Sequence, residues 1–365
     1  MAALKDELDA AAGTRLAREL SRAWPEFPAR RFTRGLRDAL EPLELLARGD
    51  ELARRLERTL PADFRRASDV LHRALDSSTF TGWIVLPSAG FVARAGIDDP
   101  DAALPLLAAL TPRWSSEFAI RPFIERHHEV TYRYLHEWCD HDDEHVRRLV
   151  SEGSRPRLPW ALVLRGLVDD PAPNLALLDR LVDDPSAYVR RSVANHLNDI
   201  SKDHSDLALD VATAWLPRGE GARWVVHHGL RSLVKRGDPR ALSLVGASTA
   251  GTVELIELTV DRREVAIGDT VTFTFTLRIA DGSEPCDAVI DYRVHYAGAR
   301  GSKAPKVFKL TRRRLEPGRP VTISRRHTFE HVSIRRIRPG AHRIEVQVNG
   351  AVLGGVDIDV VDAES

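Results

Sequence analysis

The sequence predicts a two-part protein, an all-α HEAT-like repeat solenoid followed by an all-β sandwich. Three observations predict it. The period of the apolar residues changes from three or four to two near residues 246–252. Short blocks in the first part recur roughly forty residues apart. The segment GASTAGT that joins the parts is a run of small and polar residues. At 365 residues and 43% hydrophobic composition, the chain can fill a core in each part, with boundaries at 1–246 and 252–365.

Before the boundary, apolar residues fall at helical spacing in Glu51–Thr59, Ala103–Leu110, Val130–Cys139 and Leu207–Trp215. Val146-Arg147-Arg148 returns as Val189-Arg190-Arg191, 43 positions on, each after an Asp-Asp or Asp-Pro turn. Trp224-Val225-Val226 opens a comparable helix 36 positions beyond Val189. Each unit of such an array buries its apolar face only against its neighbours, and the stack curves into a concave surface lined by second helices. Arg148, Arg155, Arg191, Arg231 and Lys235 are expected together on that surface. For Arg190 and Arg191 an ion pair with an Asp of the adjacent unit is the alternative, and Trp224 is expected to pack between repeats.

After the boundary come VELIELTV, TVTFTFTLRI, AVIDYRVHYA, PKVFKLTRR, PVTISRRHTF, HRIEVQVNG and GGVDIDVVD, separated by Gly, Pro, Asp and Asn turns. Seven such runs are what a seven-stranded antiparallel sandwich requires.

The most informative segment is VRRLVSEGSRPRLPWA, Val146 to Ala161. Val146, Leu149 and Val150 mark a buried face, while Arg148, Glu152 and Arg155 stack at spacings of four and three. Gly153 reads as a helix stop, with a second helix beginning near Trp160. Glu152 therefore sits at the carbonyl end of its helix, where the dipole disfavours a carboxylate by up to roughly 1 kcal/mol. An arginine pair on a solvated face is the alternative to a functional acid.

Charge and cysteine usage bound the partners. The chain carries 53 basic and 53 acidic residues. The segment from Arg300 to Arg343 nonetheless holds fourteen Lys and Arg against Glu316 and Glu330, the footprint of a phosphate-bearing partner. Protecting a sheet edge from aggregation is the alternative. Two cysteines, Cys139 and Cys286, give neither a disulfide framework nor a CxxC pattern, which fits a reducing cytoplasm. No apolar run is long enough for a membrane span, and MAALKDELDAAAG lacks the apolar core of a secretion signal. GxSxG, GxxxxGK and GxGxxG are absent. The cluster His127, His128, His136, His141 and His145 with Cys139 lacks HExxH spacing and reads as polar-face residues rather than a zinc site. No cofactor is called for.

WSSEFAIRPFI (Trp114–Ile124), VRRLVSEGSRPRLPWA, SVANHLNDISKDH (Ser192–His204) and VVHHGLRSLVKRGDPRAL (Val225–Leu242) resemble bacterial DNA alkylation repair glycosylases of the HEAT-like repeat class. Among them the chain is most similar to the AlkC branch, in which an immunoglobulin-like domain follows the repeats. The resemblance covers nearly the whole chain. It implies hydrolysis of the N-glycosidic bond of cationic bases (3-methyladenine, 3-methylcytosine, 1-methyladenine) in duplex DNA, without base flipping; the chain itself is expected to be a monomer. It places catalytic acids at Glu117, Glu152 and Asp199 and an indole at Trp160.

The chemistry agrees with that implication. Alkylation on a ring nitrogen makes the base a cationic leaving group, so none of the residues has to protonate it. Positive charge then develops on the deoxyribose, as in glycoside hydrolysis. A carboxylate near C1′ stabilises that charge, and an indole face adds about 0.5–2 kcal/mol of cation–π attraction. Each residue has an ordinary alternative: Glu117 as a first-turn acid after Ser115 or Ser116, Asp199 as a helix-end residue beside Asn198, Trp160 as core. In the second domain Lys303, Lys306, Lys309, Arg312, Arg313 and Arg314 form a basic loop and strand expected to grip the duplex. A repeat scaffold that binds DNA or protein without catalysis is the rival, and it has no use for carboxylates that repel phosphates.

Overall fold

A computed structural model of the chain describes residues 4–247, 253–282, 284–298, 304–332 and 336–362. Helices occupy the chain to Leu244 and strands follow from Val253 to Val361. The compact units divide differently. One comprises the residues up to His204 with Pro217–Gly229, and the other joins Ser205–Leu216 and everything from Leu230 onward. The helices at Ser205–Trp215, Arg231–Arg236 and Pro239–Leu244 thus belong to the same compact unit as the strands. Among the described residues no helix is long and apolar enough to cross a membrane.

In the first unit the expected segments are helical: Leu45–Glu57, Pro100–Leu110 and His128–Trp138. The repeat is visible atom by atom. Asp143 caps the helix Glu144–Gly153 by accepting from the His145 amide, and Ser186 caps Ala187–Asp203 by accepting from the Tyr188 amide. Arg147 Nη1 donates to the carbonyls of His141 and Asp142, six and five residues back. Arg190 Nη1 donates likewise to Asp184 and Pro185. Arg147 also reaches across to Asp184 of the next repeat at 2.7 Å. The first arginine of each Val-Arg-Arg block therefore ties turns together, which leaves the second, Arg148 or Arg191, for the other face. Gly229 lies so close to Leu197 that a Cβ would meet its Cδ2 at 2.8 Å, which sets the approach of Ala187–Asp203 and Glu220–Gly229.

Two expectations in this unit are corrected. No helix begins near Trp160: residues 154–164 are turns and irregular chain, and the next helix is Arg165–Asp169. Pro156 and Pro159 remove two amide donors there, and the segment's carbonyls are engaged by a side chain described below. Trp224 is not core; it is 44% exposed and stacks on His228 with ring centroids 5.0 Å apart.

In the second unit the strands are β1 (Val253–Val260), β2 (Glu264–Ala266), β3 (Thr270–Ile279), β4 (Cys286–His295), β5 (Lys306–Leu315), β6 (Val321–Thr328), β7 (Gly340–Val348) and β8 (Ala351–Val361). They form a three-stranded sheet, β1-β3-β6, and a five-stranded sheet, β2-β8-β7-β4-β5. The seven expected runs are all strands. The short β2 was missed, and it pairs parallel to β8, so the sandwich is not wholly antiparallel. Three residues are too few to show a period of two. Alternation in β3 sends Phe273, Phe275, Leu277 and Ile279 into the core. In β5 a bulge at Leu310 shifts the register, so that Phe308 opposite Tyr292 and Leu315 opposite Cys286 both face inward although seven residues apart. β5 and β6, consecutive in the chain, are edge strands of the two sheets.

Candidate active site

The site is built on the helix Glu144–Gly153 in the first unit. Val146, Leu149 and Val150 are buried, which turns Arg148 and Glu152 toward the chain Trp114–Ile120 and the helix Ala187–Asp203. Glu117, in a turn rather than a helix, accepts from Ser115 Oγ at 2.9 Å and forms a close ion pair with Arg148. Arg148 also lies 3.5 Å from Glu152 and 5.1 Å from the centre of the Tyr188 ring. Glu152 accepts from Arg155 at 2.6 Å on one oxygen and from Ser192 Oγ at 2.6 Å on the other. Arg155 turns its Nε to Asp199 at 2.8 Å, and Lys202 completes the row at 2.7 Å from the other Asp199 oxygen. Six groups of alternating charge thus run Glu117, Arg148, Glu152, Arg155, Asp199, Lys202. The side chains from Glu117 to Asp199 are all largely shielded from solvent, so these are not the solvated surface pairs of the ordinary reading.

A cleft of about 420 Å³ opens on this row, lined by Glu117, Glu152, Arg148, Arg155, Tyr188 and Trp160 and by Trp83 and Trp114. Trp160 is 71% exposed, with a left-handed backbone at φ +66°. The core reading of this indole is excluded. Asp199 lies inside its helix rather than at a helix end, is 1% exposed, and does not line the cleft. It meets the cleft only through Arg155.

Two supports went unread in the sequence. Arg121 is fully buried and donates to the carbonyls of Gly153 at 2.9 Å, Arg155 at 2.8 Å and Leu162 at 2.7 Å. It supplies the cation that the carbonyl end of Glu144–Gly153 lacks in its own last turn. Burial lowers its guanidinium to about 10. Behind the helix, His196 is wholly buried between the Ser151 carbonyl at 2.9 Å and the Asn174 amide at 3.1 Å. Asn174 also bonds the Ser154 carbonyl and the Tyr132 hydroxyl. The carbonyl requires a proton on His196 Nδ1, so Nε2 accepts from Asn174 and the ring is neutral. Burial lowers its pKa to about 4. Neither residue sits in a charge pattern, and only the third dimension brings them to the helix end. Trp83 and Trp114, whose ring centroids are 4.4 Å apart, were also missed as cleft walls.

The remaining basic residues divide by unit. Arg191 is exposed one repeat beyond Arg148. Arg231 and Lys235 belong to the second unit, where the Lys235 carbonyl accepts from Gln347. Lys306, Lys309, Arg312, Arg313 and Arg314 are exposed on β5, and Arg325 and Arg326 on β6. Arg314 is paired with Asp287 and Glu316, and Arg312 reaches the Val245 carbonyl at 3.4 Å. Lys303 lies outside the described residues. Among those described, no group of three His, Cys, Asp or Glu is placed to hold a metal ion. Cys139 is buried, which raises its thiol to about 11.

Residues 254–362 match the family model described as the C-terminal Ig-like domain of the uncharacterised protein YhaZ. The uncharacterized protein YhaZ of Bacillus subtilis (strain 168) is 34% identical over 361 residues, 99% of this chain and all of that protein. Among solved structures, the alkylpurine DNA glycosylase AlkC of Pseudomonas fluorescens, bound to DNA containing an abasic site analog, is also 34% identical. It superposes with a TM-score of 0.93 over 99% of this chain and all of its own.

Proposed function

The chain belongs to the family of YhaZ and AlkC, and on that premise we propose that it is an alkylpurine DNA glycosylase acting on cationic N-alkylated bases in duplex DNA. Its substrates are 3-methyladenine, 3-methylcytosine and 1-methyladenine, excised in base excision repair without extruding the base. One observation carries the reading: two carboxylates and an exposed indole share one cleft, and the carboxylates are held there by the half-buried Arg148 and the buried Arg155.

The base leaves as a neutral molecule once its bond breaks, so no proton has to be delivered to it. The barrier lies in the cation that develops at C1′. Glu152 and Glu117 line the cleft and stabilise that cation. Each carboxylate has about four lone-pair positions, and the bonds to Arg155, Ser192, Ser115 and Arg148 leave some for a water attacking C1′. Arg148 and Arg155 offset the repulsion between the acids and fix their rotamers before substrate arrives, so little reorganisation remains for the transition state. Asp199 orients Arg155 from behind, a positioning role. Arg155 is buried and engaged by two acids, so it holds the site rather than the phosphates. The exposed Trp160 ring offers its face to the sugar or the cationic base. Arg191 and the cations of β5 and β6 carry the phosphate contacts.

Excision by the purified protein is tested on duplexes with matched single lesions. Release is expected from 3-methyladenine and not from uracil or hypoxanthine, whose departure needs an acid. Comparable release of uracil would overturn the mechanism, and no release from any cationic lesion would leave the non-catalytic scaffold.

A further inference from the structure

We infer that Arg121 is a positioning residue for this reaction: its guanidinium clasps the irregular segment Gly153–Leu162 and so holds the Trp160 indole rigidly at the mouth of the cleft. This rests on the role proposed for Trp160. The segment has no helix or strand to order it, and its own backbone bonds include Ala161 to Leu158 at 3.3 Å and Leu164 to Pro156 at 3.1 Å. Arg121 instead binds both ends. One amino group takes the carbonyls of Gly153 and Arg155, and Nε with the other amino group takes that of Leu162, with Pro156 at 3.5 Å. Ten residues of chain, Gly153 to Leu162, are thereby pinned at four carbonyls by one planar fork, a geometry lysine does not reproduce.

The left-handed Trp160 shows why a clasp is needed. A large side chain at φ +66° is disfavoured and persists only where its surroundings over-determine it. Trp160 is exposed, so packing of its ring does not supply that constraint. The pinned carbonyls on either side do. The Arg155 side chain and the acids it bridges are held separately, by Glu152, Asp199 and Ser192, so the clasp acts on the indole rather than on the acids.

A double-mutant cycle tests this through single-turnover base release by the full chain. Arg121→Met is expected to slow release by about tenfold to a hundredfold, the scale of a small misplacement of a reacting group. It should leave the Kd for duplex DNA within about twofold. In a Trp160→Ala background the same substitution should slow release by no more than about twofold, because its effect passes through the segment that carries Trp160. Equal slowing in both backgrounds, or none in either, overturns the proposal. Where Arg121→Met shows no thermal transition, Arg121→Lys carries the same cycle. Amide exchange in the unmodified protein reads the clasp without any substitution: Ala161 and Leu164 should be protected like the helices, and exchange at open-loop rates overturns it. If the unmodified protein releases no base, the proposed activity fails while the exchange measurement still decides the clasp.

Discussion

At the scale of single residues, the account turns on which acid does what. Glu152 faces the cleft, so Glu152→Gln, which keeps the acceptor for Arg155, should leave DNA affinity unchanged. It should lower single-turnover excision at least about tenfold, equivalent to roughly 1.4 kcal/mol of barrier. Unchanged excision would remove Glu152 from the mechanism. Asp199→Asn loosens Arg155 instead, so its loss of rate should shrink when Glu152 is already Gln; full additivity would make Asp199 an independent contributor. His196 gives a pH signature. Its folded pKa lies below the ordinary value near 6.5, so between about 6.5 and 4 the unfolded chain binds a proton that the folded one refuses. Its contribution is complete above pH 6.5 and is lost as the pH falls toward 4, by roughly 1.4 kcal/mol per unit. Denaturant titrations of the unmodified chain and His196→Gln across that window should differ by about this slope. Parallel curves would contradict the neutral buried ring.

At the scale of elements, what the sequence showed and what it hid follow from how local each cause is. The helix Glu144–Gly153, its recurrence in Ala187–Asp203 and the alternation of β3 were legible because side-chain period is a local property. The row of Glu117, Glu152 and Asp199 was suggested by family resemblance, and only Glu152 stood out on physical grounds, as an acid at a helix end that opposes it. Arg121 explains that anomaly from 32 positions away, and no spacing rule reaches so far. The helix expected at Trp160 rested on Pro156 and Pro159 as punctuation before a helix start, and it failed because the carbonyls of this segment are taken by Arg121 and the chain stays irregular to Leu164. The packing of Leu230–Leu244 with the strands was equally hidden: Gly350 at φ +82° touches Gly237, and a Cβ there would meet the Gly237 Cα at 2.1 Å. Gly350→Ala should therefore destabilise the second unit by roughly 2–5 kcal/mol, backbone strain and overpacking together. Gly282 has φ +83° but open space around it, so Gly282→Ala should cost only about 1–2 kcal/mol. Equal losses in thermal denaturation would mean that the contact with Gly237 yields easily.

At the scale of the whole molecule, the zero net charge hides a strongly basic sandwich edge. Removing the sandwich is a poor test, because Gln347 bonds the Lys235 carbonyl and Gly350 seats on Gly237. Charge removal on β5 and β6 is cleaner: Lys309→Gln, Arg313→Gln and Arg326→Gln should each flatten the slope of log affinity against log salt by roughly 0.9. An unchanged slope would assign this edge to solubility. The central claim, that a carboxylate-lined cleft cleaves the glycosidic bond of a cationic base, is tested most directly by quantifying free 3-methyladenine released from methylated duplex DNA. The unmodified chain should release it, leaving abasic sites in equal number, and Glu152→Gln bound to the same DNA should release it at least about tenfold more slowly. Methylated base that stays in the DNA while the unmodified protein is fully bound would contradict the account.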